Sequence, residues 1–189
     1  MIRVITGSMF AGKTTELLRR LRCAEIAGQK VVLVKPTRCT RAKNKVVTHD
    51  GGEFPAIETE WSEPCPDMLA KLEEMNPEVI GVDEAQFLGE FYEDHDDWEE
   101  WIRYWDRKGV EVICSCLNQD YRGQTFGFSQ RLLIIADDII HLKAVCNECK
   151  QKEAGTRTHR VSGGDEQVQV GGADSYETLC YSCWNKKTS

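Results

Sequence analysis

Gly7-Ser8-Met9-Phe10-Ala11-Gly12-Lys13-Thr14 matches the pattern Gly-x4-Gly-Lys-Ser/Thr in full. The glycines let successive backbone N–H groups turn inward around phosphate oxygens. Lys13 adds a point charge for terminal phosphates, and the Thr14 hydroxyl suits Mg²⁺. A helix beginning here presents its positive end to the same anion. The flanking residues supply that context. Ile2 to Thr6 reads as a short buried strand, and Thr14 to Ala27 as a helix with Leu17, Leu18, Leu21 and Ala24 on one face, stopped by Gly28. Gly7 to Thr15 is the candidate nucleotide-binding loop.

The same alternation continues outward. Lys30 to Val34, Val79 to Val82, Val110 to Cys116 and Ile139 to Leu142 read as further strands, and Leu132 to Asp137 as the end of a helix. Asp94 to Lys108 reads as an amphipathic helix whose acidic first turns suit the helix dipole. Trp98, Trp101, Ile102 and Trp105 form its stripe, which suits core packing or a subunit interface more than a binding face. Repeated strand–helix crossovers predict an α/β fold, a P-loop-type parallel sheet with helices on both faces. Beyond Cys146 the helical periodicity disappears and glycines break the chain into short segments, which places a boundary near residue 143. The expected units are a nucleotide-binding domain over 1–142 and a small second domain over 143–189, which the Cys-x2-Cys pairs Cys146/Cys149 and Cys180/Cys183 mark as a zinc ribbon.

Val79 to Val82 ends in Asp83-Glu84. An acid at the carboxyl end of an inner parallel strand lies beside the phosphate loop, where Asp83 suits Mg²⁺ directly or through water. Glu84, one residue on, points its side chain elsewhere. It is placed to activate a water, as in a hydrolase, or to take a proton from a substrate hydroxyl, as in a kinase.

Of nine cysteines, Cys146, Cys149, Cys180 and Cys183 form two Cys-x2-Cys pairs with thirty residues between them. Four thiolates close a tetrahedral site with no position for water, which is structural zinc chemistry. The long spacer reads as a loop clamped at its roots by the metal. Cys23, Cys39, Cys65, Cys114 and Cys116 read as small buried hydrophobes or inert thiols.

Composition narrows the class. The longest apolar run, Leu132 to Ala136, is far short of a membrane span, and the first residues lack the pattern of a secretory leader, so a cytoplasmic protein is expected. A net charge of −7 argues against a general nucleic-acid binder. The five basic residues between Lys35 and Lys45 read as a solvated loop or a nucleotide-side contact.

These elements, in this order, resemble the thymidine kinases of the cellular, zinc-containing type. The resemblance is carried by Gly7 to Thr15 (GSMFAGKTT) with Glu16 to Arg20, by Asp83 to Phe87 (DEAQF), by Thr48-His49-Asp50 and by Thr125-Phe126-Gly127. Ala144-Val145-Cys146 and Gly171-Gly172 with Tyr176 add to it, so it spans nearly the whole chain.

It implies Glu84 as the base that takes the nucleoside 5′-hydroxyl proton, and Gly7, Ser8, Met9, Phe10, Ala11, Gly12, Lys13, Thr14, Thr15, Arg41, Asp83 and Gln86 around ATP and Mg²⁺. Met9, Phe87, Leu117, Tyr121 and Phe126 would surround the base, with Tyr121 where many relatives have Phe. Thr156, Val168, Val170, Gly171 and Tyr176 would fall in a lasso closing over thymine. The implied partners are ATP and thymidine, with deoxyuridine as a further substrate, and the implied assembly is a homotetramer without nucleic acid or membrane. Inhibition by the triphosphate end product is implied too. Cys39-Thr40-Arg41 departs from the family's Asp-x-Arg and removes a carboxylate, for which Asp50 is a candidate substitute; Asn118-Gln119-Asp120 also departs. A supporting arginine is expected among Arg122, Arg157 and Arg160. The rival reading is a P-loop ATPase whose zinc ribbon docks a partner.

Overall fold

The computed structural model describes residues 1–36, 45–47, 51–59, 63–89, 96–169 and 171–188. In chain order the elements are β1 (Ile2–Gly7), α1 (Lys13–Ile26), β2 (Val31–Pro36), β3 (Lys45–Val47), β4 (Glu53–Pro55), β5 (Ile57–Thr59), α2 (Pro66–Met75) and β6 (Val79–Val82). A 3₁₀ turn (Ala85–Phe87) precedes α3 (Asp96–Arg107), β7 (Glu111–Leu117), α4 (Ser129–Ile135), β8 (Asp138–Leu142), β9 (Arg157–Arg160), β10 (Tyr176–Leu179) and α5 (Tyr181–Thr188).

Six strands form one sheet in the order β5-β2-β6-β7-β1-β8, every neighbouring pair parallel. Parallel neighbours need crossovers, and the helices of those crossovers cover both faces. Inner strands are therefore apolar on both sides. Ile2 and Val4 of β1 join the cluster built with α2, α3 and α4, while Ile5 joins the cluster with α1. In β7, Val112, Cys114 and Cys116 face the first cluster and Ile113 the second. Cys114 and Cys116 thus serve as the small core residues expected, and burial pushes the Cys114 thiol up. Cys23 is exposed instead.

Leu17, Leu18 and Leu21 seat α1 on one face, joined by Val46 and Phe54 of the β3–β4 hairpin. On the other face Trp98, Trp101 and Trp105 of α3 are at most 4% exposed, so the stripe packs on the sheet and offers nothing to a neighbouring subunit. Two expectations need correcting. Helical structure returns after Cys146 as α5, and Lys35 is not solvated: it is 2% exposed, its Nζ donating to the Lys45 carbonyl at 2.9 Å and lying 3.3 Å from Glu58. Among the described residues no helix is long and apolar enough to cross a membrane.

Candidate active site

The loop between β1 and α1 takes its shape from two glycines. A Cβ on Gly7 would stand 2.4 Å from the Leu142 carbonyl oxygen of β8, so only glycine permits that approach. Gly12 enters α1 with φ 84°, and no side-chain hydrogen bond caps the helix there. The start of the helix directs its first-turn amides toward the loop, the arrangement that receives an anion. Lys13 is buried, its Nζ donating to the Ser8 carbonyl at 2.9 Å, so the charge is folded over the loop.

Asp83 ends β6 and is 5% exposed. Ser115 of β7 donates to its Oδ1, and Thr14 Oγ1 lies within hydrogen-bonding distance of the carboxylate. Burial, reinforced by the charge of Glu84, pushes the Asp83 carboxyl up to about 6. A cation beside it would reverse that direction. Glu84 adopts φ 53°, which breaks the strand alternation. Its side chain therefore enters the same cleft as Asp83 instead of pointing elsewhere. Gln86 fixes it there: Nε2 donates to Glu84 Oε2 at 2.5 Å while Oε1 accepts from the Leu117 amide at 3.1 Å.

The cleft is a cavity of about 440 Å³ at the carboxyl ends of β1, β2, β6 and β7, the position at which open parallel sheets bind ligands. Lys13, Thr14, Asp83 and Glu84 line one part. Phe87 and Phe126, edge to face at 5.8 Å, line another with Met9, Leu117 and Tyr121. Flat apolar walls beside a polar, phosphate-shaped end suit a nucleoside placed against a nucleotide.

The C-terminal segment roofs this cleft and is bonded to the phosphate loop. Ser8 Oγ donates to the Gly155 carbonyl at 3.1 Å, Met9 N–H to Thr158 Oγ1 at 3.0 Å, and Thr178 Oγ1 to the Met9 carbonyl at 2.6 Å. From the antiparallel β9–β10 pair, Arg160 donates to the carbonyls of Gly164, Glu166 and Gln167 and to Tyr176 Oη. Its guanidinium lies 3.8 Å from the Tyr121 ring centroid. Arg122 donates to Tyr121 Oη and the Asp165 carbonyl, and Arg157 to the Thr156 carbonyl. All three arginines are thus engaged with the roof or the turn beneath it.

The Sγ atoms of Cys146, Cys149, Cys180 and Cys183 all lie within 4.8 Å of one another, with Cys149 and Cys180 at 3.9 Å. A tetrahedral metal with bonds of about 2.3 Å sets its sulfurs about 3.8 Å apart, so the cluster fits. Burial opposes ionisation of Cys146, but backbone N–H groups of Cys180, Cys149 and Glu148 overcome it and bring the thiol down to about 6. Its hydrogen bond with Cys180, then burial, pushes Cys183 up to about 12. One thiolate suppresses the next, and a bound cation removes that conflict.

The family profile described as thymidine kinase matches residues 1–184. The chain belongs to the thymidine kinase family. The thymidine kinase of Mycoplasma mobile is 34% identical over 187 residues, covering 97% of this chain and 86% of its own. That of Porphyromonas gingivalis is 38% identical over 189 residues, covering 100% and 86%. A solved structure, AMPPCP-bound DnaA from Aquifex aeolicus, matches 75% of this chain and 40% of its own at 14% identity and a TM-score of 0.44.

Among the residues expected from the thymidine kinase resemblance, Met9, Phe10, Gly12, Lys13, Thr14, Thr15, Asp83, Glu84 and Gln86 line the cleft, as do Phe87, Leu117, Tyr121, Phe126, Val168, Gly171 and Tyr176. Gly7, Ser8 and Ala11 do not; Ser8 is turned to Gly155. Thr156 also lies off the lining, where Thr158 stands instead. Arg41, Val170, Cys39 and Thr48-His49-Asp50 lie outside the described residues. Lys35 and Lys45 line the cleft, in keeping with the nucleotide-side alternative for that basic stretch, and Asp120 and Gln167 line it without having been expected there. Lys35, at the carboxyl end of β2, follows from the switch-point rule; nothing in the sequence marks Gln167.

Proposed function

We propose that the chain transfers the γ-phosphoryl group of ATP to the 5′-hydroxyl of thymidine, giving dTMP in nucleotide salvage, with Glu84 as the base. The observation that carries this reading is the convergence of Glu84 and Lys13 on one cleft whose far walls are Phe87 and Phe126. Glu84, oriented by Gln86, receives the hydroxyl proton, and Lys13 with the loop amides holds the phosphates. Asp83 and Thr14 are the residues that would hold Mg²⁺, which when bound offsets charge on the phosphate oxygens. The aromatic walls and the roof hold the nucleoside and exclude water.

In this reading the metal on the four cysteines is zinc and purely structural, because four thiolates leave it no open position. Residues 1–142 form the nucleotide-binding unit and 143–189 the metal-anchored roof. The enzyme is cytoplasmic, takes ATP and thymidine with deoxyuridine as a further substrate, needs no nucleic acid, and assembles as a homotetramer. Incubation with ATP, Mg²⁺ and separate nucleosides tests it. Phosphate on thymidine is the expected product; free phosphate alone, stimulated by DNA or RNA, would replace the kinase with an ATPase.

A further inference from the structure

Asp120 is 5% exposed and sits in the turn after β7. Its Oδ1 accepts from the backbone amides of Arg122 at 2.9 Å and Gln124 at 2.8 Å, which fixes the carboxylate. The other oxygen, Oδ2, accepts from Gln167 Nε2 at 2.9 Å, and the same Nε2 lies 3.0 Å from the Thr125 carbonyl. Gln167 thus reaches from the roof and engages two acceptors on the turn that carries Tyr121 and leads to Phe126.

The surrounding contacts share a pattern. Arg160 holds the carbonyls of Gly164, Glu166 and Gln167 within the C-terminal segment and meets the wall only through the face of the Tyr121 ring, 3.8 Å away, so it stiffens the roof and packs it on the wall without a hydrogen bond to a charged group there. Tyr121 Oη and Arg122 reach the Asp165 carbonyl, a backbone group that any residue would present. Between the 164–169 segment and the opposite wall, Gln167 is the side chain that grips a buried charged group. A hydrogen bond to an ionised acceptor is stronger than a neutral one. Both partners also line the cleft.

We propose that the Asp120–Gln167 hydrogen bond latches the 164–169 roof segment over the nucleoside end of the cleft, making Gln167 a positioning residue for the nucleoside. The proposal rests on the kinase reading for its substrate, but the latch itself is a property of the free protein. The other charged groups beside the latch are Arg122, Arg160, Asp165 and Glu166, with the Tyr121 and Tyr176 hydroxyls next to them, and the test compares variant with parent at each pH so that their shared contribution cancels.

Gln167→Glu sets two carboxylates against each other, which cannot both ionise at hydrogen-bonding distance. The latch opens above the carboxylate range and recloses when the pair shares a proton. Because Gln167 is exposed, the variant keeps its fold. The expected result is a thymidine KM raised on the order of tenfold at pH 8, kcat changed less than about twofold, and a KM ratio to the parent that shrinks toward pH 5.5. Asp120→Asn combined with Gln167→Glu reverses the bond: the oxygen of the introduced amide still accepts from both backbone N–H groups, while its nitrogen donates to the introduced carboxylate. This double variant recovers most of the loss in KM, falling short of the parent because the Thr125 carbonyl loses its donor.

Hydrogen–deuterium exchange of the 164–169 amides in the free protein provides a second readout: faster in Gln167→Glu, returned in the double variant. Parent-like KM and exchange in Gln167→Glu, a double variant no better than the single, or a loss confined to kcat would each overturn the latch. If the parent chain phosphorylates no nucleoside, the kinase reading fails, while the exchange experiment still decides the latch.

Discussion

Thr14 Oγ1 sits 3.1 and 3.3 Å from the two carboxylate oxygens of Asp83, tying the first turn of α1 to the end of β6 across the site where a cation would sit. The Thr14 hydroxyl and Ser115, with the charge of Lys13, favour a carboxylate that burial disfavours.

That arrangement predicts a stability cost. Folding raises the Asp83 carboxyl from 3.8 to about 6, so the fold favours the protonated form. Its penalty is present above pH 6 and vanishes as pH falls below about 4, where the group is protonated folded or unfolded. Asp83→Asn removes the charge. Without nucleotide or metal, the variant should be more stable than the parent at pH 8, on the order of 2 kcal/mol, with the difference shrinking toward pH 4 in thermal melts. Its turnover with ATP and Mg²⁺ should fall by at least tenfold.

Glu84→Gln keeps the shape and loses the proton acceptor. Turnover should drop by about 10²- to 10⁴-fold while calorimetry records an ATP affinity within a few-fold of the parent. Unchanged turnover would remove Glu84 from the role of base.

Cys146→Ser breaks the cluster at its buried member. Elemental analysis should show the metal lost, and the thymidine KM should rise more than the ATP KM. The link is visible in Trp184, which follows Cys183 directly and whose Nε1 reaches the Tyr121 carbonyl at 3.4 Å. Retained metal at full stoichiometry would show that three sulfurs suffice.

Trp98→Ala deletes a side chain that is 1% exposed beneath the sheet. A loss of about 3 to 5 kcal/mol in denaturant unfolding is expected, with the oligomeric state of the folded fraction unchanged. A dissociated but equally stable variant would return the stripe to an interface.

Much of this was legible in the chain because its strongest signals are local. Gly7 to Thr14 needs no distant partner to be recognised, and Val79 to Val82 is apolar on both faces because the strand is buried on both. The missed elements depend on context. β5 is three residues long and exists by pairing with the end of β2. α2 carries only Met68 and Leu72 as buried residues; its better signals, Pro66 at the first position and Asn76 in the left-handed cap, are punctuation that a reading by periodicity passes over. At Glu84 the left-handed backbone overrides strand alternation, which is why two consecutive acids reach one cleft. Lys35 appears among basic neighbours in sequence, but is buried by Glu58 and the Lys45 carbonyl, both from strands laid alongside later.

Met9 is gripped at both ends of its peptide, its amide by Thr158 and its carbonyl by Thr178. No slack therefore lies between the phosphate cradle and the sheet of two strands that carries the roof. A ligand that firms either one firms the other, so each substrate should meet a better-prepared protein when its companion is already seated, and by the same factor in either order.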